Sequence, residues 1–358
     1  MLDRENLQND FQKIVVDKTG KQKQRKRGKT DGELNCLEMG MVFLKNERDI
    51  SKFTPKMLNE FIETIVDIWK PEGNNEAIQR KKKAKKELKE ILEKFKKNPD
   101  KYIVNVPQRT EKITYENSKW IFEEWEKNIQ EKINNYSLDL ANPFMMASVE
   151  KSFAEGKIFA IKQIQTRIAV TYWGGIFEKC FSIFTTNVES FNAGRMDIKV
   201  KKILFDIKSG PNVLNQRDVD GINKKIELIS GLKKKSFGKF IEVEEYKVGI
   251  IYGRWKLRNS FMKKIIGAGN NEQYSKKSGI VIGTDLWKLV TDNEWNAFKF
   301  FIWQIRYGVQ ELKKKWTLKD LNDAVDIFLD SFYGNRDNKS KAEEDTEYKK
   351  VKKLIEKN

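Results

Sequence analysis

The chain has 358 residues, 70 Lys and Arg against 52 Asp and Glu, a formal charge of +18, and no histidine. The missing imidazole excludes Ser-His-Asp triads, histidine-ligated metal nucleases and Cys2His2 fingers, so any chemistry must use carboxylates, Lys, Tyr, Ser or a metal. Two distant cysteines, Cys36 and Cys180, and the absence of a run of about 18 apolar residues predict a soluble cytoplasmic protein without a disulfide framework or a membrane partner. The cationic excess favours a polyanion, nucleic acid first.

The N-terminal half reads as helices. Leu7, Phe11, Ile14 and Val15 form one stripe within residues 1–17, followed by a basic loop, Lys18 to Lys29, readable as a DNA-embracing arm or a connector. Thr54-Pro55 is a helix start, with Thr as N-cap and Pro at the first helical position. Leu58, Phe61, Ile62, Ile65 and Ile68 follow at helical spacing, and Lys70-Pro71 ends the helix. A second helix spans about 75–97 and carries the lysine cluster Arg80 to Lys86, a phosphate-binding face or ordinary solvated surface. A third covers about 115–134 with Trp120, Ile121, Trp125, Ile129 and Ile133 inward. Asn142-Pro143 opens a further helical stretch through Ile168, and residues 171–184 read as an apolar helix that contains Glu178.

Residues 194–216 change the pattern. They read as a β-hairpin and a helix start, with Asp197 on the first strand and Asp206-Ile207-Lys208 on the second. Asp206 and Lys208 are two apart and share a face, whereas Phe205 and Ile207 point the other way. If the turn is Lys201-Lys202, residues whose numbers sum to 403 face each other: Val200 with Ile203, and Asp197 with Asp206. Opposed carboxylates, with Cβ atoms about 5 Å apart, repel unless they share a divalent cation. Beyond Lys208, Ser209, Gly210, Asn212, Asn215 and Gln216 lie where the strand end meets a helix, a place suited to a phosphate oxygen.

A strand is expected at 246–252, followed by Arg254, Lys256 and Arg258, whose guanidinium groups suit guanine edges or phosphates. A short strand at 279–283, a helix from Thr284 and helices near 295–315 and 317–332 complete the fold. Past Gly334 the charged tail holds at most one frayed amphipathic helix (Tyr348, Val351, Leu354, Ile355).

The spaced Asp197, Asp206 and Lys208, with the run Ile207-Lys-Ser-Gly-Pro-Asn212 and Asn215, resemble the PD-(D/E)xK nuclease superfamily, in particular type II restriction endonucleases. Met196 stands where that pattern has its name-giving proline, and the resemblance covers about residues 172–290. It implies an α/β core with a mixed central sheet flanked by helices, placed at 141–333; the helical basic domain at 1–140 and the charged tail at 334–358 are read from the residue pattern alone. It also implies Mg2+ held by Asp197, Asp206 and the Ile207 carbonyl, Lys208 acting on the attacking water, and Glu178 (or Glu189) as an additional carboxylate. Double-stranded DNA is the implied substrate, a homodimer the implied assembly, and a methyltransferase acting on the same site the implied companion. Two other readings stand beside it: a nuclease of the same superfamily working in repair or recombination, and a non-enzymatic nucleic-acid-binding protein.

Overall fold

The structure is a computed structural model, and it describes residues 3–17, 31–69, 75–103, 113–134, scattered positions between 155 and 185, 188–193, 196–211, 213–267, 279–334 and 338–357. Among the described residues the continuous helices are α1 (Arg4–Asp17), α2 (Asp31–Val42), α3 (Pro55–Trp69), α4 (Asn75–Lys97), α5 (Tyr115–Asn134), α6 (Gln216–Leu232), α7 (Thr284–Thr291), α8 (Asn296–Gln310), α9 (Leu318–Tyr333), α10 (Lys339–Glu344) and α11 (Thr346–Lys357). Among the described residues five strands, β1 (Val188–Ala193), β2 (Met196–Val200), β3 (Ile203–Lys208), β4 (Glu245–Ile250) and β5 (Ile280–Ile282), form one sheet in the order β1-β2-β3-β4-β5. The first three run antiparallel; β4 and β5 are parallel to β3.

Strand alternation divides the apolar residues between two layers. Leu204, Tyr246, Val248, Ile250, Ile280 and Ile282 face a cluster built from α1–α4 and α6. Ile198, Val200, Phe205, Ile207, Ile251 and Val281 face the other, built from α5, α7–α9, α11 and the helical residues around Ile176, Cys180 and Phe181. The result is a mixed α/β sandwich: helices, sheet, helices. Residues expected as an N-terminal helical unit are thus distributed over both faces, α1–α4 on one and α5 on the other. Gly249 allows close packing on the second face, since a Cβ there would lie 2.8 Å from Ile207 Cδ1 and 2.9 Å from Leu286 Cδ1.

Three features depart from the sequence reading. The pattern of alternation gave no warning of β1, an edge strand, nor of α2, whose Leu34, Cys36, Leu37 and Met41 are buried. The charged tail is part of the core: Tyr348, Val351 and Ile355 are the expected apolar stripe, and on α11 they are buried against α8 and α9. Burying each such side chain is worth about 1.5–3 kcal/mol, which offsets the cost of ordering an otherwise polar helix. Among the described residues, no helix is long and apolar enough to cross a membrane.

Candidate metal and catalytic site

The hairpin turns at Lys201-Lys202, with Lys201 at φ 56°. Its register pairs Val200 with Ile203, Lys199 with Leu204 and Ile198 with Phe205. The paired ladder stops there. One step further the Asp197 side chain takes over, its Oδ2 accepting a 2.5 Å hydrogen bond from the Ile207 amide. A residue's amide and carbonyl point to the same edge of a strand, so the Ile207 carbonyl is on the Asp197 side as well. An acidic side chain has therefore replaced backbone pairing at the end of the ladder, and it has done so beside a second acid.

That second acid, Asp206, is buried. Its Oδ1 accepts from Lys208 Nζ, two residues along the same face. Its Oδ2 accepts from the Tyr246 hydroxyl at 3.4 Å, and that hydroxyl accepts from Lys225 Nζ on α6 at 3.2 Å. The Lys225 ammonium also lies 5.0 Å from the centre of the Tyr246 ring. Burial, and secondarily the neighbouring Asp206 carboxylate, push the Asp197 carboxyl up to about 6, against the pull of the Ile207 amide and Lys208. Two carboxyl groups thus meet in a half-buried position with one lysine beside them.

The other expected site residues are dispersed around this centre. Ser209 is half-buried directly after Lys208, and Gly210 admits Tyr252: a Cβ at Gly210 would lie 2.5 Å from the Tyr252 hydroxyl. Asn215 caps α6, accepting from the Asp218 amide at 3.1 Å while Asp218 accepts from the Asn215 amide, a capping box. Gln216 donates to Asp220 at 2.8 Å and accepts from Lys264 at 2.9 Å. Arg258 is buried, folded over Trp255 with its guanidinium 4.3 Å from the ring, and its Nε donates to the Trp255 carbonyl at 2.8 Å. Arg254 is half-buried against Gly334. Arg258 thus packs within the fold, and Asn215 caps a helix. Glu189 occupies β1 opposite Lys199. Glu178, Asn212 and the basic loop at 18–29 lie outside the described residues. In the lysine cluster of α4, Lys81, Lys83 and Lys85 pair with Asp67, Glu87 and Glu63.

Among the described residues no three acidic, cysteine or histidine side chains gather as a metal cluster. Asp197 and Asp206 are a pair, and with the Ile207 carbonyl they make an all-oxygen donor set. Mg2+ typically takes one or two protein carboxylates and completes its shell with water and substrate phosphate, so this donor set fits it. Sequence reasoning missed Tyr246 and Lys225. The usable signal for Tyr246 was a hydroxyl-bearing residue inside an otherwise apolar strand, but its pairing with β3 crosses some forty positions that only the folded topology brings together. Neither a scan against protein-family models nor a search among curated proteins finds a match to this chain.

Proposed function

We propose that the protein is a Mg2+-dependent endonuclease that hydrolyses phosphodiester bonds in double-stranded DNA at specific sequences, as a restriction enzyme does. The observation that carries the reading is the meeting of Asp197, Asp206 and Lys208 where the β2–β3 ladder gives out. Asp197, Asp206 and the Ile207 carbonyl would hold the cation, which supplies Lewis-acid polarisation of the phosphate and a more acidic water. Lys208 holds a cationic amine beside that centre, where it orients the attacking water and offsets charge developing on the phosphorus oxygens. Asp206 keeps that amine in place until substrate arrives. No covalent intermediate is required, which suits a chain without histidine. The +18 charge supports a polyanionic substrate. On this reading the chain works as a two-fold dimer on a palindromic site, alongside a methyltransferase that modifies the same sequence.

The test is digestion of phage DNA by the purified full-length chain in Mg2+, beside a chelator control and Asp206→Asn. Discrete fragments with one common end sequence, absent from both controls, support the proposal. Random nicking or end trimming would move the activity to a repair or recombination nuclease. Intact DNA that still shifts on a gel would leave a binding protein.

A further inference from the structure

Tyr246 stands outside the Asp-x-Lys pattern yet touches its buried acid, and Lys225 in turn touches Tyr246. The contacts form a chain across three elements: Lys225 on α6, Tyr246 on β4 and Asp206 on β3. Its direction is forced. An ammonium only donates and a carboxylate only accepts, so the hydroxyl between them accepts from Lys225 and gives its own proton to Asp206 Oδ2. A cation at the far end polarises that hydroxyl and makes it a stronger donor. Tyr246 is itself buried, and the ammonium over its ring adds a second restraint on both side chains.

Asp206 is therefore gripped at both oxygens, by Lys208 at Oδ1 and by Tyr246 at Oδ2. The two grips differ in kind. Lys208 is two residues away on the same strand, is partly exposed and is the group that the proposed chemistry uses. Tyr246 is buried and held from a helix that packs on β4. We infer that Tyr246, polarised by Lys225, is a positioning residue that fixes the Asp206 carboxylate for the cation; the inference rests on the metal reading above. A carboxylate held by such a partner loses less freedom on binding a metal, and removing partners of this type typically weakens metal binding about 10–100-fold.

The experiment is calorimetric titration of Mg2+ into the full-length chain without DNA, for the wild type, Tyr246→Phe, Lys225→Met and Lys225→Arg, with thermal unfolding of each. Tyr246→Phe keeps the buried ring and removes only the donor, and it is expected to weaken Mg2+ binding about tenfold. Lys225→Met, a half-buried site that keeps the aliphatic stem, is expected to weaken it about threefold, and Lys225→Arg to restore it. A merely structural role would lower the melting temperature and leave Mg2+ affinity within about twofold of the wild type, and that result overturns the inference. Lys225→Met answers the question on its own should Tyr246→Phe not fold. A wild-type chain that takes up no Mg2+ overturns the metal reading and this inference together. A wild type that binds Mg2+ and cuts DNA, with Tyr246→Phe and Lys225→Met binding Mg2+ equally well, overturns the positioning role alone.

Discussion

Two sites in this chain are built on a buried aspartate with nearly the same partners, and they differ in what stands beside it. Asp10, where α1 meets the turn Pro99–Tyr102, accepts from Lys101, from the Tyr102 hydroxyl at 2.8 Å and from Lys13 at 3.4 Å. Asp206 accepts from Lys208 and from the Tyr246 hydroxyl. Both sites are Asp, Lys and Tyr. At Asp10 the donors outnumber the acid, and the Lys101 hydrogen bond foremost holds its carboxyl down at about 2. At Asp206 a second carboxylate, Asp197, enters, and that group is pushed up to about 6 by burial and by its acidic neighbour. The first site is electrostatically complete without a ligand. The second brings two carboxyl groups together, and this pairing, rather than the Asp-Lys-Tyr combination, separates it from the first.

The largest effect that separates the two sites is on activity. Asp206→Asn is expected to lower DNA cleavage by at least about a hundredfold while the chain stays folded, because it removes a charge that the cation needs. Asp10→Asn is expected to leave the cleavage rate per folded molecule unchanged. Cleavage assays on both variants, normalised to folded protein by circular dichroism, check the pair.

The next effect is on stability and runs the other way. Asp10→Asn leaves Lys101 and Tyr102 without their ionised acceptor and should cost about 1–3 kcal/mol in a denaturant melt. Its pH dependence follows from the depressed carboxyl. Folding lowers the Asp10 value from 3.8 to about 2, so its contribution is fully present above about pH 4 and is lost as pH falls towards 2. Acid unfolding curves of the wild type and Asp10→Asn should therefore converge over that window; curves that stay parallel would contradict the closed-site description. At the open site, Asp206→Asn should bring the Asp197 titration down from about 6 towards the ordinary carboxylate range, read by the NMR shift of its side-chain carbonyl.

The smallest effect concerns a residue that stands beside the site and serves the fold. Asn215→Ala should cost about 1 kcal/mol through the lost α6 cap. A stability unchanged by that substitution would return Asn215 to the candidates for DNA contact.

How much of this was legible in the sequence follows from the range of each interaction. The β2–β3 register depends on one two-residue turn, so Val200 opposite Ile203 could be derived from local spacing and is observed. The helix start at Thr54-Pro55 was written in a local cap, and Thr54 Oγ1 accepts from the Met57 amide at 3.3 Å. The polar chain through Tyr246 and Lys225 was not legible, because parallel pairing leaves no sequence mark of which residue of β4 meets which residue of β3. Nor was the seat of α11. Its stripe is visible in Tyr348, Val351 and Ile355, but the groove that receives it is made by α8 and α9. Lys199 and Lys247 show the same limit from the other side: each is a buried strand lysine, held by Glu242 at 2.9 Å and by Glu245 at 2.6 Å. A strand lysine read from sequence alone passes for surface.

The most direct test of the central claim is to locate the cation. Fe2+ substituted for Mg2+ in the full-length chain, with ascorbate and peroxide, generates short-lived radicals that cut the polypeptide next to the bound ion. Fragments ending near residues 197 and 206–208 are expected, suppressed by excess Mg2+ and absent from Asp206→Asn. Cuts confined to other parts of the chain, or a pattern that Asp206→Asn leaves unchanged, would contradict it.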